Sequence, residues 1–437
     1  MYPGLSLDQA PPILVPFRFF LTAPLFGILA SLFALYIGDE IFASRWLPSI
    51  LSLTHLFTLG IISMVMVGAL FQMLPVVAGA ALIAETLVSR IVHACLVTGT
   101  LFLTGGLYQN IPWAINLALI ALAIGLLSFI MATSYALWRA PRSHDSVKGM
   151  RLAITMGLLI TLLLGLILGF GHSDSETPLL RELLTRPHLL WGALGWVSLL
   201  VAVIAYQVVP MFQMTPEYPS WIRRYWARVL IGLLIAASYA EIFIPILVEP
   251  IGILLAVTLL AFAVTTLRLQ RKRKRRLPDV TLNFWRLGMG ALITSVAVYV
   301  LNLFWPQPPL SLLIGTLFFI GFALSVINGM LYKIVPFLVW LHLQNQLLSS
   351  MQLGKIKIPN MKKIIPDHLS KRQYWLHTSA FICLIISVFA GNPVFQISWS
   401  LFLASFLLLG FNLLIAYRCF QKELIRIALK GTKEQQQ

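Results

Sequence analysis

Residues 205–212 read AYQVVPMF, and the reading of this stretch decides the fold. A polar amide and a proline sit three residues apart inside an apolar run. The pattern of aromatic, Gln or Lys, apolar, Leu or Val, Pro recurs as Phe71-Gln72-Met73-Leu74-Pro75 and as Tyr332-Lys333-Ile334-Val335-Pro336. The three prolines, Pro75, Pro210 and Pro336, stand 135 and 126 residues apart. A second marker keeps nearly the same interval: Arg18 in PFRFF, Arg151 in GMRLA and Arg286 in FWRLG, at separations of 133 and 135. Fixed-period self-similarity is the signature of a repeated structural unit.

The nature of the unit follows from composition. Of 437 residues, 59% are hydrophobic and 11% charged, with a mean hydropathy of +0.87. A soluble domain carries about 25% charged residues, so this chain cannot clothe a water-facing surface and reads as an all-α integral membrane protein. A spanning helix needs roughly 20 apolar residues. Twelve such runs are expected, at about 13–37, 48–74, 88–108, 112–138, 150–171, 187–213, 227–248, 250–268, 284–304, 309–340, 374–391 and 394–417. The seventh and eighth are separated only at Glu249-Pro250. The motif closes spans 2, 6 and 10, and the arginine opens spans 1, 5 and 9. One period is therefore four helices. The chain reads as one membrane domain over 1–437, made of three parallel four-helix repeats at about 13–138, 150–268 and 284–417. Parallel repeats imply an axis along the membrane normal.

The net charge of +17 invites a nucleic-acid reading, but its placement argues against one. With alternating loops, Arg45, Arg181 and Arg186 fall on one side, and the remaining 29 of the 32 Lys and Arg on the other. Positive residues mark the cytoplasmic face. That predicts both termini in the cytoplasm and a bacterial cytoplasmic (inner) membrane. The basic loops 268–280 and 343–373 lie on that face. The run RLQRKRKRR (268–276) suits anionic lipid head groups. The segment 343–373 reads as an ordered loop or a short amphipathic piece, and the tail KEQQQ as unstructured. No cleavable signal peptide is expected, since the first twelve residues lack a basic region. Cys95, Cys383 and Cys419 have no C-x-x-C spacing and predict neither a disulfide framework nor a cysteine metal site. No nucleotide-binding glycine motif and no H-E-x-x-H is present.

The motif proline is expected to end its span, because it lacks an N–H and clashes with the preceding turn. The Gln or Lys three residues earlier would then bond the freed carbonyls, or form a cytoplasmic-side ring of Gln72, Gln207 and Lys333. Ionisable groups inside a bilayer are costly and are functional candidates by default. His55 precedes Gln72 by 17 residues and His188 precedes Gln207 by 19. At about 1.5 Å per residue these distances are roughly 25–29 Å, close to a membrane thickness. Both histidines are thus placed at one level near the far end of corresponding helices. The third unit has Ile314, Gly315 and Thr316 there. Histidine binds iron and copper through a neutral ring nitrogen, although helix packing is an equally good use for each. His93 and His377 near the cytoplasmic ends of spans 3 and 11 read as packing residues first. His144, His172, His342 and His368 read as loop residues. Glu241, expected deep in span 7, would face the bundle interior or a partner such as Arg228 or Lys333. Gly60, Gly192 and Gly195 beside the two histidines would admit a close helix or a flat macrocycle.

Twelve spans in three units resemble subunit I of the haem–copper oxidases. The stretches FRFFLTAPLFGILA (17–30), HLFTLGIISMVMVGAL (55–70) and PHLLWGALGWVSLLV (187–201) look closer still to the NnrS-like membrane proteins. That group often carries a His-x-His pair seven and five residues before a glycine. Here each copy holds half of it, His55 five before Gly60 and His188 seven before Gly195. The resemblance implies haem b on His55 and copper on His188. It fails at spans 7 and 10, which contain none of the histidines an oxygen-reducing centre needs. Three readings follow. One is a haem- or metal-binding protein on an oxidase-like scaffold, for nitric oxide or redox stress or for haem and copper handling. Another is a cofactor-free transporter. The third is an assembly subunit with a membrane-protein partner or a second copy of itself.

Overall fold

The computed structural model describes all residues except 1–9, 43, 141–144, 174–177, 275–278, 351–355 and 436–437. All regular structure among them is helical. Among the described residues, twelve helices are long and apolar enough to cross a membrane: span 1 Leu14–Ile37, span 2 Pro48–Val76, span 3 Glu85–Gln109, span 4 Pro112–Trp138, span 5 Asp145–His172, span 6 Arg181–Gln213, span 7 Ser220–Phe243, span 8 Pro245–Arg271, span 9 Val280–Phe304, span 10 Pro308–Ser349, span 11 Asp367–Ala390 and span 12 Asn392–Leu429. Prolines at the first turns of spans 2, 4 and 10 suit that position, where an N–H has no helical partner. The outer surface is apolar. Leu25, Ile120, Ile124, Val257 and Ile386 are about half exposed or more, as an interface with lipid chains requires and one with water does not.

Some boundaries differ from expectation, each for a local reason. Spans 7 and 8 part at Ile244-Pro245, not at Glu249-Pro250, because Pro250 falls in the first turn of a helix and is tolerated there. The motif prolines do not end their spans uniformly. Pro75 lies in a π-helical turn, Leu74–Ala78, that stops at left-handed Gly79 (φ 62°). Span 6 runs three residues past Pro210 to left-handed Met214 (φ 55°). Span 10 continues past Pro336 to Ser349. A proline removes one backbone bond and bends a helix, and a residue of positive φ stops it. His172, His342 and His368 lie in helices rather than loops, since spans 5, 10 and 11 extend further than expected. His144 lies outside the described residues, as do Arg275 and Arg276 of the basic run. In the 343–373 segment the described part holds a short helix, Met361–Ile364. The final helix continues to Gln435, so the tail is helical up to that point.

Spans 2, 6 and 10 form the centre. Of the most apolar window of each, 67%, 78% and 67% is buried, against at most 50% in any other span. The other nine surround them. Spans 3 and 4, 7 and 8, and 11 and 12 pair as hairpins. Span 4 contacts span 5, span 8 contacts span 9, and span 12 closes the ring on span 1. Each central helix carries a π-helical stretch: Leu56–Ser63, Trp191–Ser198 and Thr316–Leu324. These begin 19, 19 and 20 residues before the motif prolines, and they touch one another in the core. π-Helical turns are rare and gather at functional sites.

Candidate functional site at the ends of the central helices

His55 is the residue immediately before the π-helical stretch of span 2. His188 precedes that of span 6 by three. The two rings meet, with centroids 6.3 Å apart and planes 20° from parallel. Their tautomers follow from their partners. The Nδ1 of His55 is 2.8 Å from the Leu51 carbonyl oxygen, and the Nδ1 of His188 is 3.1 Å from that of Thr161. A carbonyl only accepts, so each Nδ1 carries the proton and donates it. Each Nε2 then holds a lone pair, and neither makes a hydrogen bond to a protein group among the described residues. A main-chain carbonyl on one ring nitrogen and a free lone pair on the other is the arrangement of a metal-ligating imidazole. Gly165 of span 5 makes room for the ring, since a Cβ there would come 2.9 Å from His188 Cε1.

The structure brings no third classical ligand to the pair. Among the described residues there is no cluster of three or more His, Cys, Asp or Glu able to hold a metal. The neighbouring glycines serve helix packing. A Cβ on Gly60 would lie 2.6 Å from the Phe26 ring, and Gly195 faces Gly157 so closely that a Cβ on Gly157 would sit 1.9 Å from the Gly195 oxygen. Gly192 faces the Thr161 methyl.

The remaining candidates lie elsewhere. Glu241 is in the last turn of span 7, not deep in it, because the helix stops at Phe243 ahead of Pro245. Its partner is Arg186 at 3.6 Å, rather than Arg228 or Lys333. Arg186 also reaches Glu249 at 3.3 Å, and Tyr299 donates to the same carboxylate. Arg186 thus joins spans 6, 7 and 8 two residues before His188. His93 meets Thr22 Oγ1 at 2.9 Å. That hydroxyl already donates to the Arg18 carbonyl, so His93 Nε2 is the donor. His377, fully buried, bonds Ser325 at 2.8 Å. Both tie helices together.

The cytoplasmic-side ring of Gln72, Gln207 and Lys333 does not form. Lys333 pairs with Asp279 at 2.7 Å, and Asp279 also caps span 9 by accepting from the Leu282 N–H. Gln207 is half-buried. Gln72 is buried, with neither amide atom bonded to a protein group, so it does not bond the carbonyls freed by Pro75. What the three motifs do enclose is a cavity of about 20 Å³, lined by Gln72 and Met73 of span 2, Met211 and Phe212 of span 6, and Ile334 and Phe337 of span 10. Sequence reading missed Met73 and Met211, although each adjoins a motif residue. It also missed the Trp196 Nε1–Ser63 Oγ bond of 3.1 Å that joins spans 6 and 2.

No protein-family model matches this chain, and a search of curated proteins finds no match to it.

Proposed function

We propose that this protein is a copper-binding protein of the bacterial cytoplasmic membrane, with both termini in the cytoplasm. Its twelve spans are read as three parallel four-helix repeats, arranged like subunit I of the haem–copper oxidases. The repeat reading is supported by the recurrence of the π-helical stretch, of the Gln/Lys-x-x-Pro motif and of the same neighbour relations in each third of the chain. The orientation rests on the one-sided placement of Lys and Arg. The basic run at 268–276 would meet anionic head groups.

The observation that carries the copper reading is the His55–His188 pair, with each Nδ1–H held by a carbonyl and each Nε2 free. An ion bound at about 2 Å by two opposed imidazole nitrogens separates the ring centroids by ~6 Å, close to the 6.3 Å present. Imidazole suits copper, zinc, iron and nickel. Zinc prefers four ligands, whereas cuprous ion accepts two neutral ones, and no carboxylate joins the pair to favour a divalent charge. Copper held there would supply a site for one-electron or ligand chemistry. The chain's own part is to fix both tautomers and to shield the ion between apolar helices. A haem fits less well, because the spaces over Gly60 and Gly195 are filled, and no step is assigned to one.

The test is X-ray absorption at the copper edge on the purified protein loaded with one equivalent of Cu(I). Two imidazole nitrogens in the nearest shell, lost in His55→Ala and in His188→Ala, support the reading. An edge spectrum unchanged by either substitution overturns it and favours a cofactor-free carrier or an assembly subunit.

A further inference from the structure

A cavity of about 600 Å³ opens beyond the motif end of span 10 and takes no part in the histidine site. Its level follows from the repeat. The other two central helices stop four residues past their motif prolines, at left-handed Gly79 and Met214. The corresponding residue of span 10 is Trp340, and there the helix runs on to Ser349. One wall of the cavity is a face of that continuation, Trp340, Gln344 and Leu347, at helical spacings of four and three. The opposite wall includes Ile356, Lys357 and Asn360. Both walls are anchored: Leu347 and Ile356 are buried, and Arg426 of span 12 donates to the Lys357 carbonyl oxygen at 3.5 Å. The Trp340 ring meets Phe337 at 6.5 Å between centroids, and Phe337 meets Phe212 of span 6 at 6.0 Å. The cavity thus begins one turn outside the aromatic contact that closes the central helices, on the basic face.

Its volume is that of a small-molecule site, typically about 300–1,000 Å³, and its wall is as polar as it is apolar. The charge selects the ligand's sign. Lys357 is exposed and makes no ion pair among the described residues, and no carboxylate is among the described lining residues. Lys362 and Lys363 follow on the next short helix. The Asn360 side-chain oxygen is engaged by the Lys362 N–H at 3.2 Å, which leaves its amide nitrogen as a donor. Gln344 brings a second amide. An ammonium with amide donors suits the several oxygens of a phosphate, and a tryptophan face suits a flat or aliphatic group. We propose that this cavity binds an organic phosphate. Its head would take Lys357 with the amides of Gln344 and Asn360, and its apolar part would lie on Trp340 and Leu347. A soluble organic phosphate and the head group of an anionic phospholipid share this chemistry. The site does not rest on the copper reading.

The experiment is saturation-transfer NMR of the full chain in detergent with phenyl phosphate as the probe, beside native mass spectrometry for retained phosphatidylglycerol. Transfer to the aryl protons is expected in the parent. The affinity should fall on the order of tenfold in Lys357→Gln, the worth of one charge-assisted hydrogen bond. It should fall in Trp340→Leu as well and be kept in Lys357→Arg, which preserves the charge and so separates ligand binding from folding. Retention of phosphatidylglycerol that follows the same order, without phenyl phosphate binding, supports the site and identifies the source as lipid. Binding or retention indifferent to both Lys357→Gln and Trp340→Leu overturns the proposal, as does the absence of both ligands from the parent. Neither arm involves His55 or His188, so each outcome leaves the copper reading as it stands.

Discussion

Trp196 donates its indole N–H to Ser63 Oγ across 3.1 Å, joining spans 6 and 2 within their π-helical stretches. Both side chains are buried, and each closes or nearly closes its stretch. The bond fixes the rotation of one central helix against the other, and so the facing of the histidines that precede both stretches. Trp196→Phe keeps most of the volume and should cost about 1–3 kcal/mol, since it leaves the buried Ser63 hydroxyl without its indole partner. Copper affinity should fall with it, read by competition against a chromophoric chelator. Unchanged affinity would show that this bond does not position the pair.

Spans 5 and 6 touch through backbone at Gly157 and Gly195. Gly157→Ala would place a methyl 1.9 Å from the Gly195 carbonyl oxygen, where neither side can yield without moving a helix. Overpacking of this kind costs typically 1–3 kcal/mol or more. Gly232 of span 7 has nothing within 4 Å of a Cβ. Gly232→Ala should be neutral or slightly stabilising, since alanine is the better helix former. Thermal unfolding of the two variants in one detergent should therefore move in opposite directions, or move only for Gly157.

His377→Ala empties a fully buried site, removes the partner of Ser325 and Asn328 and leaves Ser325 only a long 3.4 Å bond to the Ile320 carbonyl, and should destabilise the protein by about 1–3 kcal/mol. His93→Ala should cost less, because Thr22 keeps its bond to the Arg18 carbonyl. Neither should change the amount of copper bound. Loss of copper in either would move the site away from His55 and His188.

Lys333→Met removes the ion pair but leaves the Asp279 cap, with an expected loss of about 1 kcal/mol or less. Asp279→Ala removes the cap as well and should cost more, since a cap alone is typically worth ~1 kcal/mol. The order of the two melting temperatures checks this assignment.

The spans were legible because a bilayer demands long apolar runs, and that demand survives in composition alone. The common level of His55 and His188 was legible because helical rise converts spacing to the two glutamines into depth. Their facing was not. It depends on π-helical turns, each of which shifts the helix face, and no residue type announces such a turn. The carbonyls of Leu51 and Thr161 that fix the tautomers are backbone groups and leave no trace in sequence. Glu241 was misplaced because span 7 ends at Ile244-Pro245, five residues earlier than expected, so a residue read as deep stands beside Arg186. The polar ring of Gln72, Gln207 and Lys333 failed because a motif fixes position along a helix but not which neighbour a side chain meets. Asp279, on a different span, captures Lys333.

The most direct measurement is the metal content and absorption spectrum of the protein purified after expression with copper, iron and haem supplied. Bound copper should disappear in His55→Ala/His188→Ala, with no Soret band in the parent. A Soret band that depends on His55 or His188, or copper content indifferent to both histidines, would contradict it.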